Sequence, residues 1–353
     1  MNNENIKTAK ELIEKLYKNH SLTVDEYEQL ISAESEETRA AAAELADKVR
    51  RKYYGNRVYV RGLIEVGNYC RNDCYYCGIR KSNKNAERYL LSKEQILACC
   101  REGFALGFRT FVLQGGERTM PVDDICDIVR LIKADFPDCA VTLSFGEYEK
   151  NDYEKMFESG ADRYLLRHET ADSEHYKRLH PKELSLSHRL SCLKALREIG
   201  FQVGCGFMVG SPYQTTETLA KDLKFIEEFS PDMCGIGPFI PHGETPFKDF
   251  KSGTAEQTVY LLSLIRLIKP NILLPATTAL GTVSSTGREQ GVLAGANVVM
   301  PNLSPVAVRK KYDLYENKIC TGEESAQCRG CLAARMRSVG FEIVTDRGDI
   351  KPL

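Results

Sequence analysis

The stretch Asn68-Tyr-Cys70-Arg-Asn-Asp-Cys74-Tyr-Tyr-Cys77-Gly78 carries three cysteines in a C-x3-C-x2-C spacing, with Tyr76 directly before the third. Four-cysteine sets close an electron-transfer cluster, and four-ligand sets of cysteine or of cysteine with histidine close a structural zinc. Three thiolates around a cubane leave one iron without a protein ligand. An open iron can be chelated by a small molecule that carries an amine and a carboxylate, so the stretch reads as a site built for chemistry. Two plainer readings stand beside it: three zinc ligands with a distant fourth, or loop cysteines that hold no metal.

The rest of the chain sets the frame for this loop. Its 353 residues, 42% of them hydrophobic, can bury a large core. A single barrel of about 250 residues with extensions suits that length better than two ordinary domains. The net charge is -1 and the pI about 6.6. No basic run points to nucleic acid or to an anionic membrane. The first residues, Met1-Asn-Asn-Glu-Asn-Ile-Lys, hold no apolar signal region, and no stretch reaches the ~20 apolar residues of a membrane span. The expected location is the cytoplasm. There thirteen cysteines are better read as metal ligands and small core residues than as disulfides. Six of them form two spaced groups, Cys70/Cys74/Cys77 and Cys320/Cys328/Cys331. The other seven lie in apolar helix-like or strand-like runs, where a thiol acts as a small hydrophobe. Exposed thiolates and clusters oxidise in air, so anaerobic handling is expected.

Residues 6–54 read as helical. Thr23-Val-Asp-Glu26 has the form of a capping box, and Glu36 to Arg51 is rich in alanine and charge. From residue 57 strands and helices alternate. The strands expected are Arg57 to Val66, Arg109 to Gln114, Cys139 to Phe145, Ala161 to Arg167, Phe201 to Phe207, Asp232 to Ile236, Asn271 to Pro275 and Asn297 to Met300. Helical runs include Ser92 to Ala105, Val122 to Asp135, Leu186 to Ile199, Thr215 to Glu228, Ala255 to Ile268 and Thr286 to Leu293. Eight such units predict an α/β fold, a full (βα)8 barrel of the TIM type. Around it stand an N-terminal helical layer (1–55), the barrel proper (56–305) and a C-terminal cysteine-rich segment (306–353). Barrels gather reactive groups at the carboxyl ends of their strands, and the cysteine loop directly follows the first strand.

The other strand ends then become informative. Gln114-Gly115-Gly116-Glu117 lets backbone approach a ligand closely, although alone it is most often a turn. Along the fourth strand, alternation puts Arg163, Leu165, Arg167 and Glu169 on one face and Tyr164, Leu166 and His168 on the other. The outward face must be apolar, so the charged set points inward, where buried guanidinium groups need anions. A bound anion or an internal salt-bridge network of Arg163, Arg167 and Glu169 would each supply them. Phe207-Met-Val-Gly-Ser-Pro212 and Gly235-Ile-Gly-Pro-Phe-Ile-Pro241-His-Gly-Glu-Thr-Pro246 read as rigid loops that suit a pocket lid or any fixed connection. Thr277 and Thr278 offer hydroxyl donors to a carboxylate or thiolate, or only cap the segment after the strand. His180 and His242, beside prolines, are assigned only capping or surface packing. Cys320, Cys328 and Cys331, spaced C-x7-C-x2-C, could carry a second cluster (2Fe-2S or 4Fe-4S), a zinc, or nothing.

The C-x3-C-x2-C loop, followed by Gly115-Gly116-Glu117 one helix and one strand later, resembles the signature of the radical S-adenosylmethionine (SAM) superfamily. Gly78-Ile-Arg80-Lys-Ser-Asn83-Lys-Asn85-Ala-Glu-Arg88-Tyr89, Arg163-Tyr-Leu-Leu-Arg167-His-Glu169-Thr, His180-Pro181, the Gly235 loop and Thr277-Thr278-Ala-Leu are similar to the HydE family within it. That family is the radical SAM maturase of the FeFe-hydrogenase H-cluster, and the likeness runs from about residue 57 to 345. It implies that Cys70, Cys74 and Cys77 ligate a catalytic 4Fe-4S cluster. It further implies that Gln114, Gly115, Gly116, Glu169, Arg189 and Met233 surround SAM. Arg163, Thr277, Thr278, Tyr312 and Tyr315 would line a lower cavity that binds small anions and carboxylates, and Cys320, Cys328 and Cys331 match an accessory-cluster pattern. The implied reaction is reductive cleavage of SAM to methionine and a 5'-deoxyadenosyl radical, which attacks a cysteine-bound Fe(CO)2(CN) unit. The implied partners are the maturases HydG and HydF and a donor such as ferredoxin or flavodoxin. Two alternatives remain: an amino-acid mutase like methylornithine synthase (PylB), a relative with much the same barrel, and a non-catalytic iron-sulfur carrier.

Overall fold

The computed structural model describes residues 3–322 and 329–353. Three helices come first: α1 (Asn3–Asn19), α2 (Val24–Ser32) and α3 (Glu36–Tyr54). The capping box at α2 is present, with Thr23 Oγ1 accepting from Glu26 N at 3.2 Å and Glu26 Oε2 from Thr23 N at 3.0 Å. Ser35 and Thr38 repeat the device at α3. Such caps satisfy amides that the helix itself leaves without acceptors.

A closed ring of parallel strands follows. The first run splits at Arg61 into β1 (Arg57–Val60) and β2 (Gly62–Gly67). Around the ring come β3 (Thr110–Gly115), β4 (Ala140–Ser144), β5 (Arg163–Leu165), β6 (Gln202–Cys205) and β8 (Met233–Cys234), ordered β2-β3-β4-β5-β6-β8. The expected seventh strand is reduced to two bridges, Met233↔Leu273 and Pro275↔Val298. Pro275 has no amide hydrogen, and the Leu274 amide goes instead to the Asn297 side chain at 2.9 Å, so no regular ladder can extend here. The ring closes through β10 (Val298–Val299) on β1 and a bridge from Leu63 to Asn302. Above β6 and β8 the chain turns again into β7 (Met208–Val209) and β9 (Gly237–Pro238), which pair with each other.

The surrounding helices are α4 (Lys93–Ala105), α5 (Val122–Asp135), α6 (Lys150–Glu158), α7 (Ser173–Leu179), α8 (Leu186–Ile199), α9 (Thr216–Phe229), α10 (Ala255–Ile268), α11 (Thr278–Val283) and α12 (Gly287–Leu293). α2 packs on α9 and α3 on α10, so the N-terminal helices thicken one side of the ring. Among the described residues no helix is long and apolar enough to cross a membrane.

After α13 (Val306–Arg309) and α14 (Arg329–Ser338), β11 (Glu342–Val344) lies parallel to β1, with Val58 opposite Ile343. The residues beyond β11 close the floor of the ring. The Arg61 guanidinium donates to Gly348 O at 3.3 Å, Asn271 Nδ2 to Lys351 O at 2.6 Å, and Arg163 to the Asp349 carboxylate.

Candidate functional site

β2 delivers the chain to the mouth of the ring at Asn68, and the loop that follows is pinned by its own polar groups. Asn68 Nδ2 donates to Glu87 O (2.9 Å) and Lys311 O (2.7 Å), while its Oδ1 accepts from Tyr89 N (2.8 Å). Arg88 spreads its guanidinium over four carbonyls, those of Asn68, Ile79, Arg80 and Asn83. Arg80 grips Asp73 with two bonds of 2.8 and 2.7 Å and holds that carboxyl well below the usual range. Buried donors and acceptors left unpaired would cost free energy, so this set fixes one course for the loop.

Two histidines brace it from outside; His180 caps α7, as one of the two expectations had it, while the burial of both corrects the other, surface packing. His180 is buried; it stacks on Tyr176 with ring centres 3.9 Å apart and reaches the Tyr76 hydroxyl at 3.2 Å. Burial drives its pKa down to about 3, so it stays neutral. His242 is also buried; its Nε2 lies 3.1 Å from Asp313 Oδ2, and that hydrogen bond raises its pKa. Gly78 fits beneath it because a Cβ there would lie 2.2 Å from Asp313 O.

The three sulfurs face a shared interior. Burial raises the pKa of all three thiols, and each feels another cysteine or an acid beside it. Cys77 is pushed up to about 12 by burial and then by Cys70, while Cys74 lies well above its ordinary value, by burial and then by Cys77 and Cys70. Three neighbouring thiolates are stable there only with a cationic group between them. Among the described residues no group of three or more His, Cys, Asp or Glu is gathered closely enough to hold a single metal ion. A cubane presents its ligand positions at separate corners, and three cysteine thiolates suit three of them.

The ends of the next strands surround that space. The Glu117 amide donates to Cys70 Sγ at 3.3 Å. Gly116 packs against the loop so closely that a Cβ would stand 2.2 Å from Tyr69 O and 2.9 Å from Cys70 Cβ. Gln114 Nε2 donates to the buried Tyr312 hydroxyl at 3.3 Å. The Glu117 carboxylate turns back to accept from Glu147 N, and burial raises its pKa. Arg189, expected only from family likeness and placed by α8, is buried with its Nε 2.8 Å from Glu147 Oε1. Burial alone would lower Arg189, but Tyr176, Glu117 and Glu147 outweigh it and hold it well above its ordinary value.

Glu169 follows β5 with a left-handed φ of +65°, a costly conformation for a residue with a side chain. Its Oε2 sits 3.3 Å from Arg167 NH2. Although these ion pairs are short in distance, Glu169 Oε2, Arg167 Nε and NH2, Arg189 Nε and Glu147 Oε1 make no hydrogen bond of good geometry. A buried cluster of both signs with unfilled bonding capacity is suited to a zwitterion, its carboxylate toward the arginines and its ammonium toward the glutamate.

Other residues singled out from the sequence lie elsewhere. Arg163 is wholly buried at the floor, where its guanidinium meets Asp349, Arg347 O (3.0 Å), Thr110 Oγ1 (3.1 Å) and Gln202 Oε1 (3.1 Å). Its anion comes from the chain's own tail. Met233 packs at the same end, with Sδ accepting from Arg61 NH1 at 2.9 Å. Thr277 caps α11 by accepting from Leu280 N at 3.3 Å, and Thr278 is the first residue of that helix. Burial raises the pKa of the Tyr315 hydroxyl, which also bonds Thr282. Cys320 has a left-handed φ of +64° and receives Arg288 NH2 at 3.2 Å; Cys331 is exposed on α14, and Cys328 lies outside the described residues.

Sequence reasoning missed two parts of this site. Glu65, buried in β2, is paired with Lys318 at 2.5 Å and with Asn302 at 2.9 Å. A lone carboxylate in an apolar strand was its signal, since such a group must find a cation. Glu147, the partner of Arg189, follows Gly146 just past the end of β4. The strand-end rule that singled out Gly116 and Glu169 applies to it equally.

A model of the radical SAM superfamily matches residues 64–226. The chain is 42% identical over 345 residues to the FeFe-hydrogenase maturase subunit HydE of Thermotoga maritima, covering 98% of each protein. It is 29% identical over 306 residues to a 3-methylornithine synthase of Methanosarcina acetivorans, covering 85% of this chain and 86% of that one. The crystal structure of methylornithine synthase (PylB) superposes with a TM-score of 0.82 at 25% identity over 94% of this chain and 97% of that one. The crystal structure of HydG gives a TM-score of 0.81 at 21% identity over 96% of this chain and 76% of that one, a likeness of fold.

Proposed function

Because the chain belongs to the HydE family of radical SAM proteins, we propose that it serves in FeFe-hydrogenase maturation, working on a small organometallic substrate inside its barrel. The observation that carries this reading is the 42% identity to HydE over 98% of both chains. Proteins of this superfamily use a 4Fe-4S cluster and SAM. The cluster, when bound, supplies the electron that divides SAM into methionine and a 5'-deoxyadenosyl radical.

The chain's own residues do the rest. Cys70, Cys74 and Cys77 hold three corners of the cluster, on a loop that Asn68, Arg80 and Arg88 keep rigid. Arg189 and Arg167 take the SAM carboxylate and Glu169 its ammonium, while Gly115 and Gly116 let backbone come close. Gln114 and Tyr312 wall the path toward the ring interior, where the Glu65–Lys318 pair faces the substrate. Enclosure keeps water from a reactive intermediate, and fixed dipoles orient the partners before reaction. The substrate in this reading is the cysteine-bound Fe(CO)2(CN) unit from HydG, and the product passes to HydF. Cys320, Cys328 and Cys331 would carry a separate accessory cluster.

Anaerobically reconstituted protein with dithionite and SAM is expected to release 5'-deoxyadenosine. Cys74→Ser should abolish that release and Cys328→Ser leave it largely intact; a Cys328→Ser protein that cannot cleave SAM would refute the division of the two cysteine groups. The likeness to 3-methylornithine synthase favours a second reading, a mutase. Conversion of lysine to 3-methylornithine by the same preparation would establish it in place of the first.

A further inference from the structure

Beside the cysteine loop the mouth of the ring opens into a cleft of about 250 Å³ lined by Tyr69, Cys70, Arg71, Lys81, Arg88, Glu117 and Arg118. Four of these side chains are cationic, and none of the four forms an ion pair with a carboxylate among the described residues. Arg88 donates only to carbonyls. Arg118 donates to Glu147 O at 2.8 Å and lies over the Tyr148 ring at 5.0 Å. Arg71 and Lys81 are exposed and have no polar side-chain partner among the described residues. The one acid, Glu117, turns its carboxylate away to the Glu147 amide. Since the whole chain carries a net charge of -1, four cations without an ion pair around a cleft with one acid are a local departure from its average.

Of the three clustered cysteines only Cys70 lines this cleft, and Tyr69 stands 51% exposed at its rim. The cleft therefore joins the protein surface to one corner of the cysteine set. We propose that it is the docking site of a small acidic one-electron carrier protein, of the flavodoxin or ferredoxin class, which reduces the cluster by way of Cys70. The proposal rests on the radical SAM reading given above. In the transfer the carrier loses one electron and the cluster gains one, with no bond made or broken. A site built for a small anion would bury its cations, whereas Arg71 and Lys81 reach into solvent where a protein surface can meet them. Opposed potentials on two such faces speed encounter and fix orientation.

The test uses the reconstituted full chain, a flavodoxin, and the variant Arg71→Glu/Lys81→Glu. Both substitutions alter exposed side chains and leave in place the backbone bonds from Arg71 N to Glu117 O and from Lys81 N to Asn72 O. At low salt the wild type should bind the flavodoxin, more weakly as salt rises, and the variant should bind roughly tenfold or more weakly. Arg71→Lys/Lys81→Arg should bind like the wild type. Deoxyadenosine formation driven by reduced flavodoxin should fall in the charge-reversed protein, while formation driven by dithionite should not change. No flavodoxin binding by the wild type, equal binding by the charge-reversed protein, or an equal loss with dithionite would each overturn the proposal. If no protein, wild type included, cleaves SAM with dithionite, the functional reading fails instead, and binding still reports on the cleft.

Discussion

Replacing Asp349 by asparagine tests whether the tail truly serves as the floor of the ring. Arg163 is fully buried, and among the described residues Asp349 is the one acid that forms an ion pair with it. Removing the sole partner of a buried charge commonly costs ~3–5 kcal/mol. Here three neutral acceptors remain, at Gln202, Thr110 and Arg347 O, and the Asp349 side chain is itself 40% exposed. The loss then reduces to one charge-assisted hydrogen bond weakened by solvent, ~1.5–2 kcal/mol. In urea, with a slope of ~3 kcal/mol per molar or steeper, the midpoint of the apoprotein should drop by at most ~0.7 M with the slope unchanged. Far-UV circular dichroism is the readout, since the chain contains no tryptophan. Burial alone would raise the Asp349 pKa, but Arg347 and Arg163 outweigh it and bring it to about 2. A depressed carboxyl stabilises above its unfolded value of ~3.9 and loses that contribution as pH falls toward the folded one. The gap between wild type and variant should therefore be full at neutral pH and narrow below pH ~4. An Asp349→Asn loss under ~0.5 kcal/mol at pH 7, the range of a neutral surface change, would show that the tail does not hold Arg163.

Two further outcomes rest on backbone geometry. Glu169→Gly removes both the carboxylate and a left-handed backbone strain of ~1 kcal/mol, so thermal stability of the apoprotein should hold or rise while SAM affinity, measured by calorimetry, falls. A variant that loses stability and keeps affinity would contradict the role given to Glu169. Gly116→Ala forces a methyl group against Tyr69 O and Cys70 Cβ; iron bound per chain after reconstitution should drop well below that of the wild type while the circular dichroism spectrum is kept. Full iron loading would show that the loop yields to the methyl group without harm.

What the sequence revealed depended on how local each feature was. Apolar strand runs separated by amphipathic helices located the barrel, because strand and helix periodicities are set by neighbours along the chain. α6 and α7, of nine and seven residues, are not among the expected helical runs, although α12, also of seven, is. The seventh strand read as regular from its apolar residues, yet Pro275 and the Asn297 side chain leave only bridges. Cys70, Cys74 and Cys77 were plain because their spacing is itself the signal. The partner of Arg163 was not, since Asp349 lies 186 residues away and only the folded ring brings them together. Arg189 was placed by likeness alone, because Glu147, its buried partner, belongs to a different strand end.

β1 has one neighbour, β10, that begins 241 residues after it begins and another, β11, that begins 285 residues after it begins. During synthesis the first strand must therefore wait on the ribosome for nearly the whole chain. Contacts so distant along the chain are slow to form and leave a strand edge open meanwhile. The nascent protein should thus be exposed to chaperones until about residue 344 has emerged, and chains stalled short of that point should be strong substrates for degradation even though most of the barrel is already made.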